Sequence, residues 1–146
     1  MNNMLSAKSI NIIQNSAIIV TSNANEITKS LYKIIFTKYP DLSLLFEKVP
    51  ENQKYFLADA ISAFAINIDN LHILKPALNV IAQKHVKKNI KPIHYVMIGL
   101  AFVEALELTL KESASLEFID AWREAFIYLS NTLVSIEKKL YNIEMI

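Results

Sequence analysis

Ile81-Ala82-Gln83-Lys84-His85-Val86, with His94-Tyr95 a short way beyond, is the stretch that decides how the chain is read. His85 ends an apolar stripe, Leu74, Leu78, Ile81 and Ala82, at helical spacing. A histidine so placed looks inward, where an imidazole needs a hydrogen-bond partner, a charge partner or a metal. Spacing alone favours the plainer alternative, a satisfied core histidine.

Outward from this stretch, proline marks the boundaries. Pro76 starts the helix that carries His85, which is expected to end around Asn89. Pro92 starts a long, almost wholly apolar helix through Leu110, and such a helix is expected to be covered on most sides. Ser113 and Ser115 offer caps for a last helix bearing Phe118, Trp122, Ala125, Phe126, Leu129, Leu133, Ile136 and Leu140. Upstream, Ser9 to Val20 reads as an amphipathic helix. Asn23 and Asn25 offer an N-cap to a second, with Glu26 in its first turn and Ile27, Leu31, Ile34 and Ile35 inside. Tyr32 lies one turn before Phe36. Pro40 closes that helix and opens a short one, Asp41 to Leu45. After a loop from Phe46 to Pro50, a helix from about Glu51 to Ile68 aligns Gln53, Leu57, Ile61 and Phe64 on one face, and Asn67 to Asn70 makes a turn.

Composition narrows the function. The 146 residues fit one domain, with no repeat or linker. The net charge of +1 gives no field to draw in nucleic acid. With no cysteine there are no disulfides or thiolate metal sites, which suits the cytoplasm. The single glycine, Gly99, rules out phosphate-cradling loops and dinucleotide fingerprints. The hydrophobic fraction is 53%, yet no apolar run approaches the roughly 20 residues of a membrane span: Asp59 and Glu104 interrupt the best two. Ala17 to Val20 is too short for a signal peptide. The expectation is all-α, about seven helices packed obliquely around a pocket.

Three histidines exist, His72, His85 and His94, without the spacing of a zinc site. His94, in the first turn after Pro92, is expected to be solvated, and His72 peripheral. Glu137 lies on a stripe of Leu133, Val134, Leu140 and Tyr141, and Tyr95 lies among apolar neighbours. One alternative makes Glu137 a surface-edge carboxylate. The other brings Glu137 and Tyr95 to a ring nitrogen of His85, which would orient a ligating imidazole and make it more electron-donating.

The ordered set Tyr32-Lys33…Phe36…Tyr39-Pro40…Leu45-Phe46, Gln53…Leu57, Asn67-Ile68-Asp69-Asn70-Leu71, Ile81-Ala82-Gln83-Lys84-His85, His94-Tyr95-Val96-Met97-Ile98-Gly99, Ala121-Trp122 and Glu137-Lys138-Lys139-Leu140-Tyr141 resembles the bacterial single-domain haemoglobins, which are similar to the globin domain of flavohaemoglobins. The likeness runs from about Ile10 to Tyr141. It implies one globin domain over 1–146, holding haem b. It makes His85 the iron ligand, with Tyr95 and Glu137 hydrogen-bonded to it. It sets Phe46, Ile81 and Ile98 against the haem and Lys84 near a propionate. Tyr32 and Gln53 take the opposite side, where a phenol and an amide can donate to a polar diatomic ligand, and Leu57 closes the pocket. The chain departs from the pattern in a shorter connection from Phe46 to Gln53, and in Lys54 and Val96, where prolines are usual.

The function implied is reversible dioxygen binding, with oxidation of nitric oxide to nitrate as the leading activity and an external reductase as electron source. No nucleic acid and no membrane span are expected, and a homodimer is allowed for. Two alternatives remain: oxygen binding for delivery, storage or sensing without turnover, and a haem-free interaction module.

Overall fold

The computed structural model describes residues 5–47 and 53–144, apart from the side chains of 53–56 and 143–144. Among the described residues there are seven α-helices and no strand. They are α1 (Ala7–Ser22), α2 (Ala24–Lys38), α3 (Pro40–Phe46), α4 (Gln53–Ile66), α5 (Lys75–Lys87), α6 (Pro92–Leu110) and α7 (Leu116–Glu144). Short 3₁₀ turns, Leu71–Leu74 and Lys111–Ser113, lead into α5 and out of α6. The proline boundaries fall as expected: Pro40, Pro76 and Pro92 each occupy a first-turn position, where a missing N–H costs nothing.

The packing partners set the architecture. α2 lies against α4 and α6, α1 against α4 and α7, and α5 and α6 both lie against α7. The main core draws on every helix except α5: Ile13, Ile27, Leu31, Ile35, Leu42 and Leu106 are fully buried in it, as are Ala65 of α4 and Ala125 of α7. Each contributes about 1.5–3 kcal/mol by leaving water. A second, smaller cluster sits where α5 meets α7, built on Ala82, Ile90, Tyr95 and Leu133. Leu45 and Leu129 pack against both clusters and join them. Gly99 makes room on α6 for the Phe126 ring of α7. A Cβ there would stand 2.9 Å from Cε1 of Phe126.

Local chemistry departs from expectation at four places. Asn23 stands between α1 and α2, but its side-chain amide donates back to the Ile19 carbonyl at 2.8 Å and serves the end of α1; no side chain caps α2 there. Asn25 is inside α2. At the start of α7 only Ser115 caps, its hydroxyl accepting from the Phe118 N–H at 3.2 Å, whereas Ser113 belongs to the preceding 3₁₀ turn. His94, expected to be solvated, is half-buried, and its Nδ1 accepts the Lys91 backbone N–H at 2.8 Å and closes the first turn of α6.

The fourth departure is α6 itself. It was expected to be covered on most sides, yet Ile93, Val96, Leu100 and Leu108 are more than half exposed. In a helix that is apolar all round, composition does not tell the covered face from the open one. By length and composition the segment Pro92–Ser113 is also long and apolar enough to cross a membrane, despite Glu104. Here its inner face packs on α2 and α7.

Candidate functional site

The site is built where α5, α6 and α7 converge. His85, on the last turn of α5, directs Nδ1 at two oxygens: the Tyr95 hydroxyl at 2.6 Å and Oε2 of Glu137 at 3.1 Å. The Tyr95 hydroxyl donates to the same Glu137 oxygen at 2.7 Å. Glu137 is 3% exposed, which removes the surface-edge alternative. An ionised carboxylate only accepts, and a phenol that donates to Glu137 has a lone pair left for His85. Both partners therefore select the tautomer with the proton on Nδ1 and the lone pair on Nε2. Burial holds the imidazole pKa below its usual value despite the neighbouring carboxylate, so the ring is neutral at pH 7. Burial first, and then Glu137, push the Tyr95 phenol well above its usual range.

The backbone that presents His85 is fixed by a Schellman ending. Asn89 takes a left-handed conformation (φ 61°), the Ile90 N–H donates to the His85 carbonyl at 3.0 Å, and the Asn89 N–H donates to the Val86 carbonyl at 3.0 Å. The Tyr141 hydroxyl then donates to the Ile90 carbonyl at 2.8 Å, one turn beyond Glu137 on α7. Lys91 lies over the Tyr141 ring, 4.1 Å from its centroid. One strap thus ties the end of α5 to the helix that supplies the carboxylate. Sequence reasoning missed it, although an asparagine just past a helix end is a recognised C-terminal signal.

The remaining candidates divide between two regions. Tyr32 on α2 is half-buried, and burial raises its phenol pKa. Its ring meets Phe46 edge-on, 5.4 Å between centroids, and stacks on Phe36 at 6.5 Å. Phe46, Leu57 and Ile98 are half-buried against the main core, while Ile81 is half-buried against the smaller cluster. Lys84 is exposed, one residue from His85. Gln53 opens α4. Its side chain, the Lys54 side chain and the connection over 48–52 lie outside the described residues.

The chemistry of these residues fits a haem. The His85 ring keeps 30% of its side-chain surface open while Nδ1 is anchored, and that leaves Nε2 available as a donor. Phe46, Leu57, Ile81 and Ile98 offer incompletely covered apolar surface of the kind a porphyrin requires. Among the described residues, no group of three or more His, Cys, Asp or Glu could hold a bare metal ion, so the single imidazole suits a metal brought in its own macrocycle. A separate cavity of about 410 Å³ opens between the 3₁₀ turn before α5, α5 and α7, and none of the haem candidates lines it.

Comparison with known proteins agrees with this geometry. The globin family model matches residues 29–133. An uncharacterised globin-like protein of Aquifex aeolicus is 38% identical over 139 residues, covering 95% of this chain and 99% of that one. A flavohemoprotein of Oceanobacillus iheyensis is 32% identical over 142 residues, which is 95% of this chain and 35% of the relative. The chain therefore spans about a third of the length of the flavohemoproteins it matches. Among solved structures, an engineered carbene transferase from Rhodothermus marinus superposes with a TM-score of 0.93 at 26% identity, covering 98% of this chain and 100% of that one. A bacterial globin from Campylobacter jejuni gives 0.84 at 28% identity, covering 94% and 99%. With the helices, the histidine-centred cluster and these matches in agreement, the chain belongs to the globin family.

Proposed function

We propose that this globin holds haem b through Nε2 of His85, binds dioxygen, and oxidises nitric oxide to nitrate with electrons from a separate reductase. The observation that carries the reading is the cluster of His85, Tyr95 and Glu137. A buried carboxylate hydrogen-bonded to an imidazole fixes its orientation and strengthens its other nitrogen as a donor. Haem, when bound, supplies the iron that takes the diatomic ligand and the redox change that nitric oxide oxidation needs. The protein's part is binding, orientation and proton placement. Tyr95 and Glu137 keep the His85 proton on Nδ1. Tyr32, with its phenol held protonated, offers a donor to a polar diatomic ligand, and Gln53 offers an amide. Phe46, Leu57, Ile81 and Ile98 exclude water around the porphyrin, and Lys84 meets a propionate at the rim. The names of the flavohemoprotein relatives pair a flavin with haem, which supports a flavin-dependent reductase as the electron source.

Two measurements test this. Purified protein titrated with haemin is expected to develop a Soret band that His85→Ala alters or loses. With reductant supplied, Tyr32→Phe is expected to consume nitric oxide about tenfold more slowly, the effect of losing one hydrogen bond of about 1.4 kcal/mol. A Tyr32→Phe protein equal to wild type removes the role given to Tyr32. Stable oxygen binding with negligible nitric oxide turnover would favour oxygen delivery or sensing.

A further inference from the structure

The cavity of about 410 Å³ falls within the ~300–1,000 Å³ range of small-molecule sites. Its walls are apolar: Phe64 from α4, Leu71 and Leu74 from the following 3₁₀ turn, Leu78 from α5, and Leu129 and Ile136 from α7. Phe64 is buried and forms the floor, while the other five are half-buried. The exposed members of the lining are all polar: His72, Lys75, Asn131 and Ser135. The cavity is thus greasy inside and polar at its mouth. Lys75 brings an ammonium group, and no carboxylate lines the cavity among the described residues. Lys75 is also the first residue of α5; its backbone N–H is held by the His72 carbonyl and Pro76 carries none, so the positive charge at the rim is the Lys75 ammonium group itself. Asn131 and Ser135 supply neutral hydrogen-bonding groups beside it, whereas the Thr132 hydroxyl is already committed to the Tyr128 carbonyl at 2.9 Å.

We infer that this cavity binds an amphipathic monocarboxylate, a medium-chain fatty acid, with its chain on Phe64, Leu78 and Ile136 and its head group at Lys75. Apolar burial provides the bulk of the affinity, and the single ammonium group selects an anion over an alcohol or an amine. The site is distinct from the wall assigned to haem, so the proposal stands apart from the functional reading above.

The test titrates decanoate into the protein, below its micelle concentration, in haem-loaded and haem-free forms, by calorimetry. One saturable site is expected in both. Decan-1-ol is expected to bind at least tenfold more weakly, and decyltrimethylammonium not measurably. Lys75→Glu is expected to weaken decanoate at least tenfold. It places an acidic side chain at a helix N-terminus, where the dipole favours it, so the fold should be retained. Asn131→Phe, which closes the mouth, is expected to abolish the site; if that variant does not fold, Lys75→Glu decides. Wild-type affinity in Lys75→Glu overturns the inference. So does loss of the site on haem loading, which would put decanoate in the haem pocket.

Discussion

Replacing Tyr95 by Phe tests the histidine cluster most directly. The ring keeps its place in the smaller core and only the hydroxyl is lost. Glu137 then loses its donor at 2.7 Å and keeps His85 at 3.1 Å. A buried hydrogen bond to a charged acceptor is worth about 1.5–3 kcal/mol, and the Phe ring leaves no unpaired polar group of its own. At about 3 °C per kcal/mol for a chain of this size, the midpoint should fall by ~5–9 °C. Glu137→Gln removes the cost of a buried charge, but turns an amide N–H towards a donor; a net loss of about 1–2 kcal/mol is expected. The two changes touch one shared oxygen, so a double-mutant cycle should show a coupling of at least ~1 kcal/mol. Thermal and urea unfolding followed by far-ultraviolet circular dichroism read all four proteins, the first for midpoints and the second for the cycle, free of haem so that ligand binding adds nothing. Strict additivity, or a Tyr95→Phe midpoint within about 1 °C of wild type, would refute the shared-acceptor geometry.

Other substitutions probe the scaffold. Thr28 is buried and its hydroxyl has no partner among the described residues, so Thr28→Val should raise the unfolding free energy by ~1–2 kcal/mol in urea. Gly99→Ala gains about 1 kcal/mol of helix propensity but drives a Cβ against Phe126, which stacks on Phe102 at 5.8 Å and cannot swing freely; a net thermal destabilisation is expected. Asn89→Val should cost about 1–2 kcal/mol at its left-handed position, whereas Asn89→Gly should be neutral or better, by the same urea assay. The Glu124 carboxyl is held below its usual pKa, chiefly by the Ser9 hydroxyl and then by the Ser6 N–H. Its contribution is complete above the unfolded carboxyl pKa and fades as pH falls through the lower folded one. Glu124→Gln should therefore flatten the acid limb of the stability–pH profile.

Much of the fold was legible in the sequence because helix ends were marked by prolines and inner faces by apolar spacing. Ile27, Leu31, Ile34 and Ile35 are all buried, as their register required. The cluster was legible in part. Glu137 and Tyr95 stood on apolar stripes, and a polar group there must find a partner; which partner it finds is set by three helices meeting, and no local pattern encodes that. The backbone partners of His94 and Asn23 were not legible, for a common reason. Each side chain could serve the backbone on either side or face water, and the choice depends on turn geometry that residue type does not fix. The cavity beside α5 was invisible because its walls come from stretches that each read as ordinary core.

The bonds from Ser6 and Ser9 to Glu124 have a consequence for synthesis on the ribosome. The acceptor is translated 118 residues after Ser6, and at ~5–20 residues per second that is a wait of roughly 6–24 s. Throughout it, α1, whose Ile13 and Val20 are fully buried in the finished fold, lacks the α7 it packs against. α4, made by residue 66, offers the nascent α1 its first partner, and the face that later meets α7 stays open until the last helix emerges.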